Sequence, residues 1–377
     1  MRILFISNYS DLYGANRSML TVIEYLKNKG NQVKLILPKD GGIIKELKEK
    51  QIDYTVVKMF TQLYYYKPQL KYLALPLLDT LTFLKLGKLI SLAKDFNPDL
   101  IYSNTSAEMV GIKIAKRLGV KHISHIREFM DLDHGAKYLF GNKAKKKYIN
   151  QSDGVIYVSK AVANHVNQGE PLQDWQKVIY NGVASDNNPF KNHALKDDIN
   201  FGIVGIFDPE KGQDLAIKYF ADVVKVFPKF RLHIWGDKEC GYKKLLYTLV
   251  NDLGLNDSVV FHGFEKKAAI IYGDMDVLLM CSRCEGFGRV TVEAMQRGIP
   301  VMGYNAGGTT ELVQDGFNGY LFSDKKEFLD KLALMLQTEE HFNELRKNAY
   351  VSARDNYSVE KYCSNVESFV NIIMNSK

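Results

Sequence analysis

Residues 276–300 read DVLLMCSRCEGFGRVTVEAMQRGIP, and this stretch decides the fold. DVLLMCS is an apolar run of strand length. Gly286 and Gly288 follow it, and the helical pattern behind them stops at Gly298 and Pro300. Strand, glycine loop and helix make up half of a parallel βαβ unit. The loop leaves the carboxyl end of its strand, where open α/β sheets bind ligands. Glu285 stands at its start, and Glu293 sits roughly 7–8 Å further along the helix axis. Unpaired N–H groups and a partial positive charge at the helix start favour an anion. Carboxylates on either side suit hydroxyls. Hydroxyl, anion, hydroxyl describes a nucleotide diphosphate sugar. Two acids at this spacing beside a capping turn also occur on ordinary surface helices, so the wider chain has to decide.

The same rhythm runs through both halves. RILFISN, QVKLILP, DLIYSN, KHISHIR, GVIYVS and KVIYNGV are strand-like and alternate with helical segments. After residue 184, ASDNNPFKNHALKDD is polar, contains Pro189 and reads as a linker. INFGIVGIF, FRLHIWGD, VVFHGF, DVLLMCS, PVMGYN and GYLF then restart the series. The expectation is α/β: two doubly wound Rossmann-like domains, 1–185 and 196–357, facing a cleft. A last helix at 358–377 has one apolar stripe, Val359, Tyr362, Val366, Phe369, Val370 and Ile373. That stripe packs on its own domain or crosses to the first.

The chain has 377 residues, 46% apolar and 25% charged, as in soluble globular proteins. The start runs straight into a strand, and the apolar segment 73–93 is broken by Pro76, Asp79, Lys85 and Lys88. A cytoplasmic protein is expected. Cys240, Cys281, Cys284 and Cys363 form neither a disulfide framework nor a zinc set. Net charge is +10 over residues 1–190 and −3 over the rest. FTQLYYYKPQLKYLALPLL and YLFGNKAKKKYI combine lysines with aromatics and leucines in the basic half. They suit an anionic membrane surface presenting a lipid-linked acceptor, and equally a solvated flap. No nucleic-acid module is present, so no nucleic-acid partner is expected. Asp131/Asp133 and Asp274/Asp276 are D-x-D pairs at a frequency chance supplies, and no Walker A or H-E-x-x-H string occurs.

The string EGFGRVTVEAMQRGIPVMGYNAGGTTELVQDGFNGYLF resembles the donor-site region of glycosyltransferase family 4, retaining enzymes of the GT-B fold. Glu285 and Glu293 match its E-x7-E motif. YGANRS, HIREF, YVSKAV, KVIYNGV and DPEKG are similar to family landmarks in the expected order, over about residues 1–325. The resemblance implies roles. Glu285 contacts the donor sugar and assists its departure, and Glu293 holds the ribose. The N–H groups of Phe287, Gly288, Arg289 and Val290, behind Gly286, bind the diphosphate. Lys211 places a cation on the leaving group, where negative charge grows. Gly14 lets backbone approach the phosphates, and His125 faces the donor sugar. The backbone of residues 261–264, with Gly263 and Phe264, meets the nucleobase. Where the family usually has an arginine before the lysine, this chain has Ile206; Arg283, Arg289 and Arg17 are the candidate substitutes.

The resulting expectation is a metal-independent retaining hexosyltransferase without a cofactor. It takes a UDP-sugar or GDP-sugar, UDP favoured, and serves a glycan acceptor, expected to be lipid-linked, in cell-surface polysaccharide or glycoconjugate synthesis. The alternatives are a non-catalytic GT-B partner or scaffold subunit, which Ile206 motivates, and a nucleotide-sugar epimerase.

Overall fold

The computed structural model describes residues 1–59, 63–65, 75–107, 109–138, 141–185, 189, 190, 192 and 194–376; at 63–65, 75–84 and 134 the backbone alone is described. Met1–Gly182 with Val359–Lys377 form one compact unit, and Val183–Ser358 form a second.

The first unit runs β1 (Arg2–Ile6), α1 (Gly14–Asn28), β2 (Gln32–Leu37), α2 (Ile43–Glu49), β3 (Asp53–Val56), β4 (Leu63–Tyr65), α3 (Leu75–Phe96) and β5 (Leu100–Ser103). It continues through α4 (Val110–Leu118), β6 (Lys121–Ile126), α5 (Asp131–His134), β7 (Ala136–Tyr138), α6 (Gly141–Ile149), β8 (Gly154–Tyr157), α7 (Lys160–Asn167) and β9 (Gln176–Val178). Seven strands form one sheet in the order β3-β2-β1-β5-β6-β8-β9, every pair parallel. Strands covered on both faces read as unbroken apolar runs. In β1, alternate side chains enter opposite cores: Ile3 and Phe5 join one cluster, Leu4 and Ile6 the other. β4 and β7 form a separate antiparallel ribbon. Helix α1 starts at Gly14. Its first turns bury Asn16 and Ser18, polar residues that the apolar periodicity passes over.

The second unit runs β10 (Asn200–Val204), a 3-10 turn (Pro209–Lys211), α8 (Gln213–Val226), β11 (Arg231–Trp235), α9 (Gly241–Asp252), β12 (Val259–Gly263), α10 (Ala268–Tyr272) and β13 (Val277–Met280). Then come α11 (Arg289–Met295), β14 (Val301–Tyr304), α12 (Thr309–Leu312), β15 (Gly319–Phe322), α13 (Lys325–Met335) and α14 (Glu339–Asn356). Its parallel sheet has the order β12-β11-β10-β13-β14-β15. Strand order reverses between β1 and β5 in the first sheet and between β10 and β13 in the second, as in doubly wound folds.

The closing helix, α15 (Val359–Asn375), belongs to the first unit. Tyr362, Val366, Phe369, Val370 and Ile373 are buried in the same cluster as Ile3, Phe5 and the α1 residues Met19 and Ile23. A Cβ placed on Gly154 of β8 would lie 2.7 Å from Ile373, so this glycine is what lets α15 lie against the sheet. Among the described residues no helix is long and apolar enough to cross a membrane. Most of FTQLYYYKPQLKYLALPLL falls outside the described residues. In YLFGNKAKKKYI the lysines are not uniformly solvated: Lys145 is buried, with its ammonium 4.3 Å from the centre of the Tyr138 ring.

Candidate active site

In the second unit the crevice at the order reversal lies between the loops that leave β10 and β13. Lys211 comes from the first and Glu285 from the second. The loop after β10 tightens into the 3-10 turn, with Asp208 accepting from the Glu210 N–H at 3.2 Å. Gly212 ends the turn at φ +70°, and a Cβ there would stand 2.2 Å from the carbonyl oxygen of Cys281. Only glycine lets the turn close onto the end of β13. That closure sets Lys211 beside Glu285: Lys211 Nζ donates to Glu285 Oε2 at 2.7 Å, both side chains part-exposed.

The glycine loop itself is braced from behind. The Gly308 N–H donates to the Glu285 carbonyl at 2.6 Å, and a Cβ on Gly308 would meet the Gly286 carbonyl at 2.7 Å. The AGGTT segment therefore packs backbone to backbone on EGFG. Phe287 turns inward against the Tyr357 ring, while Gly288, at φ +97°, precedes α11. Arg289 and Val290 open that helix, half-buried.

Glu293, on α11, accepts a hydrogen bond from the Tyr272 hydroxyl at 2.9 Å and lies 3.7 Å from Arg289 Nη2. Burial, and then the Glu293 carboxylate, push the Tyr272 phenol well above its ordinary pKa, so it stays protonated and donates. The Arg297 guanidinium covers the ring of Tyr272, 4.9 Å from its centre. Tyr272 ends α10, and nothing in the local sequence marks it as Glu293's partner.

Other expected residues lie elsewhere. Gly263 ends β12, two strands from β10, and Phe264 follows it; Gly263 has φ +72° and Phe264 is exposed. Gly14 and His125 belong to the first unit. Gly14 is the exposed first residue of α1. His125, on β6, is fully buried, and its Nδ1 lies 2.6 Å from the Tyr102 hydroxyl and 3.1 Å from Arg127 Nη2. Burial, and then the Arg127 charge, hold its pKa well below the ordinary histidine value.

Of the three arginines considered in place of Ile206, Arg283 is the one fastened to the Lys211 turn. Its N–H donates to Glu210 O at 3.1 Å and its Nη1 to Pro209 O at 3.1 Å. Arg289 faces Glu293, and Arg17 Nε donates to Leu12 O in the first unit. Three of the four D-x-D aspartates have backbone or histidine partners. Asp133 accepts from the Phe129 and Met130 N–H groups, Asp131 is paired with His165, and Asp276 accepts from the Asn200 N–H. Among the described residues no group of three His, Cys, Asp or Glu side chains is placed to hold a metal ion.

Known proteins of this kind define the family. The profile of glycosyltransferase family 4 matches residues 13–187, and that of glycosyl transferases group 1 matches residues 184–352. The chain is 31% identical over 276 residues to an uncharacterized glycosyltransferase of Methanocaldococcus jannaschii, covering 70% of this chain and 72% of that protein. It is 29% identical over 236 residues to N-acetyl-alpha-D-glucosaminyl L-malate synthase of Bacillus anthracis, covering 58% of this chain and 60% of the synthase, less than two thirds of its length. Its fold matches the crystal structure of Anabaena HepE in complex with UDP and glucose, with a TM-score of 0.79, 23% identity, and 99% and 100% of the two chains covered. This chain belongs to glycosyltransferase family 4 and has the GT-B fold.

Proposed function

We propose that this chain is a retaining glycosyltransferase that moves a sugar from a UDP-sugar to a hydroxyl of a glycan acceptor. The observation that carries the reading is the Lys211–Glu285 pair at the order reversal of the second sheet. A cation beside an acid, in front of a glycine loop and a helix start, suits a sugar diphosphate. In the reaction the bond from the anomeric carbon to the diphosphate oxygen breaks. The acceptor oxygen bonds to that carbon on the same face, and its proton passes to the departing diphosphate oxygen. Lys211 and the N–H groups of residues 287–290 offset the charge that grows on the diphosphate. Glu285 grips the sugar, and Glu293, steadied by Tyr272, takes the ribose hydroxyls. No divalent ion enters this scheme. UDP is favoured because Anabaena HepE was solved with UDP and glucose. A lipid-linked acceptor, in polysaccharide synthesis at the cytoplasmic membrane face, rests on the basic first half of the chain.

The test is turnover of a panel of UDP- and GDP-sugars, with the anomeric configuration of the product followed by NMR. Retention, loss of activity in Glu285→Ala, and indifference to chelation are expected. Inversion, or activity restored by manganese after chelation, overturns the mechanism. Ile206 favours a second reading, a GT-B subunit that supports another transferase without turning over donor itself; absence of donor binding at millimolar concentration selects it.

A further inference from the structure

We propose that Tyr357 is a positioning residue for the donor diphosphate: it clamps the glycine loop 285–288 to the facing segment 305–311, so that the main-chain N–H groups of the loop are fixed before a ligand arrives. The phosphate role rests on the donor reading above; the clamp does not.

Gly286, Gly288, Gly307 and Gly308 line the contact between loop and segment. Gly307 has φ +58°, and a Cβ there would stand 2.7 Å from the Glu285 carbonyl oxygen. On Gly308 it would stand 2.7 Å from the Gly286 carbonyl oxygen, and on Gly288 it would stand 3.2 Å from Leu312 Cδ1. The approach excludes side chains, and glycine gives up more freedom on ordering than any other residue. Bare backbone also buries little apolar area to offset that cost. The Gly308 N–H bond to Glu285 O, at 2.6 Å, therefore needs support from outside the contact.

Tyr357, the C-cap of α14, reaches both sides of it. Its ring meets that of Phe287 edge to face, with centroids 5.8 Å apart and planes at 72°. Its hydroxyl donates to the Glu311 carbonyl of α12 at 3.2 Å. Burial, and then Glu311, push the phenol up to about 12, so it stays protonated and donates. α12 has four residues, and the last carbonyls of a helix lack partners within it. Packing on Phe287 needs only the ring; the hydroxyl is what adds the facing segment. Tyr357 is itself pinned. Its N–H donates to Ala353 O at 2.9 Å, and its carbonyl accepts from the Val183 N–H at 2.9 Å. Gln296, the C-cap of α11, donates from Nε2 to Val183 O at 2.8 Å. The contacts close a ring. Phe287 before α11 and Gln296 after it are fastened to one bonded pair, Val183 and Tyr357, from the two ends of the second unit's chain.

The experiment compares wild type and Tyr357→Phe of the full chain by amide hydrogen exchange and by titration with UDP and with uridine, the latter at millimolar concentration by saturation-transfer NMR. Exchange of the Gly308 N–H should rise about tenfold in the variant, as for a local opening made easier. Affinity for UDP should fall about three- to tenfold, the scale of one lost hydrogen bond. Affinity for uridine, which carries no phosphate, should not change. Unchanged exchange at Gly308 overturns the clamp. Unchanged UDP affinity, or an equal loss for uridine, overturns the phosphate role. A wild type that binds neither ligand overturns the donor reading and the phosphate role with it, while Gly308 exchange still decides the clamp. A Tyr357→Phe chain that does not fold overturns the clamp as well, because the hydroxyl would then be holding the whole unit rather than this contact.

Discussion

Lys211 Nζ and Glu285 Oε2 stand 2.7 Å apart although 74 residues separate them in the chain. Each reaches the other from a loop at the order reversal of the second sheet. A part-exposed ion pair is worth at most about 1 kcal/mol to stability. On the proposed reading, its value is to hold a cation and an acid ready for a ligand that takes them both. Lys211→Met should therefore lower kcat by about 10²–10³, the usual cost of removing one group that stabilises developing charge. The melting temperature should stay within a few degrees of wild type, by the same small pair energy. Steady-state kinetics and a thermal melt of the one variant check both halves.

Tyr272 donates to Glu293 at 2.9 Å from a helix that precedes β13. If Glu293 holds the ribose, Tyr272 acts on binding more than on bond breaking. Tyr272→Phe should raise the donor KM about tenfold, the effect of roughly 1.4 kcal/mol, and leave kcat within about a factor of two. A fall in kcat at unchanged KM would place Glu293 at the reacting sugar instead.

Gly212 is where the Lys211 turn touches β13. Its φ of +70° is open to glycine, and a Cβ would meet the Cys281 carbonyl at 2.2 Å. Backbone atoms cannot swing aside as a side-chain tip would. Gly212→Ala should lose about 1–3 kcal/mol of stability, the scale of one strained residue. It should also lose activity, since Lys211 moves with the turn. Urea unfolding of the variant reads the first effect and turnover the second.

What the sequence disclosed, and what it withheld, follows from how each feature is written in the chain. The runs ILFI and VLLM are continuous because both faces of their strands are covered, and they declare a parallel sheet by themselves. The glycines of EGFG sit beside the strand they follow, so the loop was legible too. The host of the closing helix was not: its stripe names apolar positions and leaves the surface they meet open, and the structure selects the first unit. Tyr272, Arg127, Tyr102 and Tyr362 were missed for a related reason. Each supports its partner from another element, and no short-range pattern encodes a contact such as Arg127 to Tyr362, 235 residues apart. The β4–β7 ribbon consists of strands of three residues, too short for alternation to show.

Buried histidines make the fold acid-sensitive. His122 is held down to about 3, first by burial, with Asp153 opposing, and His125 is also held below the ordinary 6.5. Folded values below the unfolded one give stability that is present above about pH 6.5 and lost as pH falls toward 3. His122 contributes a slope of about 1.4 kcal/mol per pH unit in that window, and His125 adds to it in the same direction. Glu128 acts in the opposite sense. Burial and then Asp133 push it up to about 8, so its share is full below 4.5 and is lost as pH rises through about 8. Denaturant unfolding from about pH 5 to 8 should peak near pH 6.5. His122→Asn should flatten the acid side, and Glu128→Gln should steepen it and remove the decline toward pH 8.

Ile206 stands where the family usually has an arginine, and its side chain is 41% exposed. The Lys211 side chain passes over Gly205, where a Cβ would be 3.8 Å from Lys211 Cγ, so position 206 is adjacent to the cation in question. Arg283 is tied to the same turn through Pro209 O and Glu210 O. Its guanidinium lies 4.0 Å from Asp214, and the side chain is 44% exposed. If it supplies the second cation, Arg283→Met should weaken UDP binding about tenfold, the effect of roughly 1.4 kcal/mol, without unfolding the turn, because the Glu210 contact runs through backbone. Ile206→Arg in that background should restore most of the affinity, since charge on the phosphates matters more than the residue that brings it. Isothermal titration with UDP on wild type, single and double variants decides. An Arg283→Met protein that binds UDP like wild type, and gains nothing from Ile206→Arg, would show that Lys211 and the helix N–H groups hold the diphosphate without a second cation.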